Sequence, residues 1–248
     1  MRGPLFPPSQ RIRSLDARKV TADQAGNQAR RAAVARRRRF LRVADEPIPN
    51  IRSLKTLRSA EAGCRRCPLY RNATQAVPGE GPAHARMMMV GEQPGDQEDK
   101  QGHPFVGPAG GILAKALADA GIERDEVFVT NAVKHFKFEP RGKRRLHKRP
   151  NAYEIDRCHL WFDFERKLVT PELVVALGAT AVRSIAGKPI TIKKIRGNLM
   201  PLADGGHMLA TIHPSAILRA PKDEDRHALY QGFVADLKTC ARALAKAA

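Results

Sequence analysis

Four short, nearly continuous apolar runs punctuate the chain, at 86–90, 127–131, 173–177 and 207–211. Each has the length and composition of a strand buried on both faces. Helical stretches separate them, at 110–120, 153–167 and 179–186, and a longer one, 224–247, closes the chain. Strands alternating with helices predict an α/β fold. The expected form is a three-layer α/β/α sandwich around a central, mainly parallel four-stranded sheet. Ligands of such sheets bind beyond the carboxyl ends of the strands. Glu92, Asn131 and His213 fall at or just after three of those ends.

The first 58 residues do not share this pattern. They carry Pro4, Pro7 and Pro8, then Arg30-Arg31 and Arg36-Arg37-Arg38-Arg39, with few large apolar side chains. The sequence therefore divides into a basic, disordered extension over 1–58 and a globular domain over 59–248. Residues 1–59 hold 15 Lys and Arg against 4 Asp and Glu, and the remainder holds 29 against 21. A net charge of +19 and a pI near 10.5 point to a polyanionic partner, most simply nucleic acid. No apolar run reaches 18 residues and the basic N-terminus lacks an apolar signal core, so a membrane span is excluded and a cytoplasmic location is expected.

Chemistry-bearing residues lie next to the strand ends. In chain order they are Gly91-Glu92-Gln93-Pro94-Gly95-Asp96, Pro104-Phe105-Val106-Gly107-Pro108-Ala109-Gly110, Thr130-Asn131-Ala132-Val133-Lys134-His135 and Thr211-Ile212-His213-Pro214-Ser215. Together they gather carboxylate, amide, aromatic and imidazole groups at one sheet edge, a pocket for a small planar polar ligand. Taken singly, Phe105 reads equally as core, His213 as a turn cap before Pro214, and Asp96 as a helix cap. Residues 136–150 form a basic loop containing Gly142-Lys143-Arg144-Arg145-Leu146-His147-Lys148, which alone reads as a phosphate-contacting or solvated loop. Cys64-x-x-Cys67 with Cys158 suggests metal or redox chemistry in a cytoplasmic chain, and spacing alone favours zinc.

These motifs resemble the uracil-DNA glycosylase superfamily over about residues 60–245. Within it they are most similar to the iron–sulfur (family 4) group, and there to the covalently trapping UdgX-type. The resemblance implies excision of uracil from a flipped nucleotide. Phe105 would stack on the base, Asn131 would read its O4 and N3–H edge with Gln93 beside it, and His213 would donate to O2 as charge develops on the leaving base. Glu92, Gln93 and Asp96 would serve the sugar and the nucleophile. His147 would attack C1′ once the base has left, joining protein to DNA. Lys143, Arg144, Arg145, Ser215 and Arg219 would contact DNA. Cys64, Cys67, His135 and Cys158 would hold a [4Fe–4S] cluster, with His135 standing where the family usually has cysteine; Cys240 is left as a free thiol. The implied partner is uracil-containing DNA, single-stranded for preference, with the protein a monomer. Two other readings remain: an ordinary turnover glycosylase of the same fold, and a non-catalytic uracil-DNA or RNA-binding module.

Overall fold

The computed structural model describes residues 50–203 and 205–246. The basic extension expected over 1–58 therefore lies almost wholly outside the described residues. The first helix among the described residues, α1 (Leu54–Ala62), runs across the 58/59 boundary. Ser53 and Thr56 close a reciprocal capping box at its start, and Leu57 is buried.

The central sheet has five strands rather than the expected four, in the order β2-β1-β5-β7-β6. β1 (Met87–Gly91), β2 (Val127–Asn131), β5 (Leu173–Leu177) and β7 (His207–Thr211) are parallel. β6 (Leu199–Pro201) is the additional, antiparallel edge strand. Side chains of the parallel strands alternate between two cores. Met87, Met89, Val129, Val175, Leu177 and Leu209 face α3 (Pro108–Asp119) and the C-terminal helix α8 (Asp223–Lys246). Met88, Val90, Phe128, Val174 and Ala210 face α4 (Ala152–Val169) and α5 (Ala179–Ala186). Burial on both faces is why the middles of these strands are apolar, with polar residues confined to the ends of β2 and β7. A third cluster joins Leu57, Leu69, Val133, Ile155 and Trp161 around Cys64, Cys67 and Cys158.

The strand order reverses between β1 and β5: the chain adds β2 on one side of β1 and returns to add β5 on the other. Such a switch point opens a crevice at the carboxyl ends of its two strands. Glu92 follows β1 into that crevice, and Thr180 enters it from the first turn of α5, just after β5.

The expected basic loop is an antiparallel hairpin, β3 (Phe138–Arg141) with β4 (Arg144–His147), turned at Gly142 with φ 58°. A two-residue connection with glycine in the left-handed region is a usual hairpin turn. Its register pairs Phe138 with His147 and Arg141 with Arg144.

Candidate active site

The pocket floor is the paired end of β1 and β2, where Gly91 lies opposite Asn131. A Cβ on Gly91 would collide with the Asn131 side-chain oxygen and come within 2.8 Å of Phe105 Cζ. Glycine at 91 is therefore what lets these two side chains meet. Asn131 is 3% exposed, and its amide makes no hydrogen bond to another described residue, leaving donor and acceptor for a ligand. Phe105 has φ 59°, unusual for an aromatic residue and a form of strain that collects at functional sites. The turn is held from below: Glu98 accepts from the Gly95 and Gly107 N–H groups at 3.0 and 2.9 Å. Gly110 lies so close to the Phe105 backbone that a side chain would overlap it.

The ring of His213 lies 6.2 Å from that of Phe105, with 26° between planes. Its Nδ1 accepts from the Ser215 backbone N–H at 3.2 Å and lies 2.7 Å from Ser215 Oγ. Arg219 donates to that same oxygen at 2.9 Å, so the Ser215 proton goes to Nδ1. Burial, with Arg219 and His147 adding to it, lowers the His213 pKa to about 4. The ring is thus neutral with its proton on Nε2, a hydrogen-bond donor. Ser215, expected on the DNA, sets this tautomer. Arg219 supports it and is exposed beside it.

Beneath the floor lies a fully buried ammonium. Lys134 Nζ donates to Glu165 at 2.7 Å, to the Thr130 hydroxyl at 2.5 Å and to the Asn131 carbonyl at 3.1 Å. All three protons are used, and the last two fix the end of β2. Burial raises the pKa of the Glu61 carboxyl, which lies 4.0 Å from the same ammonium. Sequence reasoning missed this brace, since Glu61 and Glu165 lie far from Lys134 along the chain.

His147 sits at the end of β4, half-exposed, with Nε2 3.6 Å from Glu92 Oε1. Burial is the main cause that lowers its pKa; Arg219 adds to it and Glu92 opposes it. Gln93 does not face the pocket as expected. Its amide donates to the carbonyls of Lys137 and Lys148, both at 3.1 Å, and accepts from the Lys137 N–H at 3.2 Å. It clips together the two ends of the hairpin that carries His147. Arg145, expected on the DNA, is also committed. Its Nε meets Asp96 and its Nη1 meets buried Asp99, each at 2.5 Å, and the guanidinium lies over Phe136 and Phe138. Asp96 is thus occupied by Arg145 and by Lys100, whose hydrogen bond is the first cause lowering its pKa. Both residues tie the hairpin to α2 (Asp96–Gln101) rather than reaching toward a sugar. Lys143 and Arg144 remain exposed at the hairpin end, where Arg144 faces Arg141 across the ladder.

Cys64, Cys67, Cys158 and His135 are all buried, within or beside the third cluster. Sulfur atoms accept N–H bonds there: Trp161 Nε1 donates to Cys64 at 3.1 Å and the Lys134 backbone to Cys158 at 3.2 Å. His135 Nδ1 is buried with no hydrogen-bond partner among the described residues, and burial lowers its pKa to about 4. A neutral imidazole with an unused nitrogen, together with three buried thiols of which Cys64 and Cys158 receive N–H donors, fits a thiolate-ligated iron–sulfur group. No group of three or more ligand-type side chains among the described residues closes around a single ion, so this fit stands on the donor set. Cys240 is apart, buried against the sheet from α8.

The profile of the uracil DNA glycosylase superfamily matches residues 78–238. A type-4 uracil-DNA glycosylase of Thermotoga maritima is 39% identical over 164 residues, covering 66% of this chain and 82% of that protein. One from Pyrobaculum aerophilum is 34% identical over 175 residues, covering 68% and 86%. One from Archaeoglobus fulgidus is 32% identical over 166 residues, covering 64% and 80%. The span matched contains β1, β2, β5 and β7 with Glu92, Phe105, Asn131, His147 and His213, and the chain belongs to the uracil DNA glycosylase superfamily.

Proposed function

We propose that the protein excises uracil from DNA and then captures the resulting sugar through His147. The observation that carries this reading is one shared place. His147, delivered by a tethered hairpin, faces Glu92 at 3.6 Å, directly after the end of β1 where Gly91 lies against Asn131 and Phe105, with the His213 ring stacked beside Phe105. A uracil ring stacked on Phe105 would present O4 and N3–H to the unpaired Asn131 amide. Cytosine would present mismatched groups there, each left unpaired at about 1–3 kcal/mol. The Nε2–H of His213 would meet O2, where negative charge gathers as the C1′–N1 bond breaks and its electron pair leaves with the base.

Glu92 then faces a cationic sugar. The lone pair of neutral His147 forms the new N–C1′ bond, and the positive charge passes from sugar to imidazolium beside the same carboxylate. Lys143, Arg144 and Arg219 are the exposed cations suited to phosphate, and the basic extension adds to them. Cys64, Cys67, His135 and Cys158 would hold an iron–sulfur cluster, which would supply a structural cross-link between the segments following α1 and β2 and the helix α4. In this reading, repair DNA containing uracil is the substrate, with single strands preferred because the base is already unpaired.

The test is a uracil-containing oligonucleotide incubated with the protein and run on a denaturing gel. An SDS-resistant protein–DNA band supports capture. Alkali-labile abasic DNA without that band supports ordinary turnover, and retardation in native gels alone supports mere binding.

A further inference from the structure

We propose that Thr180 is the positioning residue that aims Glu92 at His147, and so governs capture of the sugar separately from excision of the base. The inference rests on the reading of His147 given above. Thr180 lies on the far side of the switch-point crevice from Glu92, 1% exposed in the first turn of α5. Its hydroxyl is hydrogen-bonded to Glu92 Oε2. The direction of that bond follows from its neighbours. Arg149 Nε, which can only donate, points at Thr180 Oγ1 from 3.3 Å. The Thr180 proton is therefore free for the carboxylate, which only accepts. The chain of bonds runs from Arg149 to Thr180 to Glu92 Oε2, and Oε1 is left facing His147 Nε2 at 3.6 Å.

This anchor is needed because a glutamate side chain is intrinsically loose. The Glu92 side chain is 22% exposed, and two cations compete for it: His147 when charged, and Arg149, whose Nε lies 3.6 Å from Oε2 with its side chain 65% exposed. Without the Thr180 hydroxyl, only the largely exposed Arg149 side chain holds Oε2 among the described residues, and the carboxylate is free to swing with it. The sugar cation would still form, since departure of uracil depends on Phe105, Asn131 and His213. Its fate would change. The C1′–N1 bond has broken with its pair on the base, and the cation is closed either by the His147 lone pair or by a water oxygen that loses a proton to solvent. Glu92 facing Nε2 favours the first by stabilising imidazolium as it forms. Glu92 turned away leaves water to compete.

Thr180→Val keeps the buried shape and removes the hydroxyl, and Thr180→Ser restores it. The measured quantity is the ratio of SDS-resistant adduct to alkali-labile abasic product on one uracil-containing oligonucleotide, with total uracil released measured alongside. In Thr180→Val the ratio should fall by about tenfold or more, the scale of one hydrogen bond to a charged group, while uracil release holds. Thr180→Ser should recover most of the ratio. An unchanged ratio in Thr180→Val overturns the proposal, and so does an equal loss of adduct and uracil release, which marks a merely structural role. Absence of adduct from the unmutated protein would instead remove the reading of His147 on which it stands.

Discussion

Arg145 separates a structural account of the hairpin from a DNA-contact account. Its guanidinium is shared between Asp96 and Asp99, and Asp99 is 0% exposed, with Thr74 as its other partner. Replacing Arg145 with Leu removes the cation and leaves a buried carboxylate whose charge is no longer balanced. Losing one partner of a buried pair costs about 3–5 kcal/mol. Arg145 is 20% exposed on its side chain and Asp96 34%, so the lower part of that range applies. For a chain of this length about 3 kcal/mol corresponds to a drop of roughly 6–12 °C in Tm. Changing Asp99 to Asn alongside should recover part of the loss, because the stranded charge goes with it. The assay pairs thermal unfolding with the salt dependence of DNA binding. A phosphate contact contributes about one unit to the slope of log affinity against log salt. The account expects a lowered Tm with an unchanged slope. A reduced slope with an unchanged Tm would return Arg145 to the DNA and refute the tether.

Other outcomes follow from the same geometry. Gly91→Ala should abolish uracil release, because its Cβ occupies the space of the Asn131 and Phe105 side chains, while salt-sensitive DNA binding persists; retained uracil release would contradict the pocket floor. The proposed capture uses uncharged His147, whose pKa burial holds below the ordinary 6.5, so the fall in adduct yield on acidification should have its midpoint below pH 6.5. A decline centred above pH 6.5 would count against that nucleophile. Cys240→Ser should keep its full iron content by metal analysis, whereas Cys158→Ser should lose it; zinc in place of iron in anaerobically purified protein would overturn the cluster assignment.

What the amino-acid order disclosed depended on how each element is held. β1, β2, β5 and β7 were legible because burial on both faces makes their middles apolar runs. β6 was not, being three residues long and largely exposed. The hairpin was not either, since Phe138–Arg141 contains Pro140 and exposed charges, and no apolar alternation announces it. It exists through side chains distant in sequence, Gln93 at its base and Arg145 against α2. Pocket residues could be named from their order after strand ends. Their partners could not, and this is why Gln93, Asp96 and Arg145 were expected at the ligand when they support the element that carries His147. Thr180 left one usable signal, its place directly after the strand that borders β1 at the switch point.

The central claim is that breaking the glycosidic bond and capturing the sugar fall to different histidines. The most direct measurement compares the unmutated protein with His147→Ser on one labelled uracil-containing oligonucleotide. A denaturing protein gel reads the adduct, and a sequencing gel after alkali reads abasic DNA. The account predicts adduct from the unmutated protein, and from His147→Ser no adduct but abasic product in its place. An undiminished adduct in His147→Ser would contradict it and move the nucleophile elsewhere in the pocket.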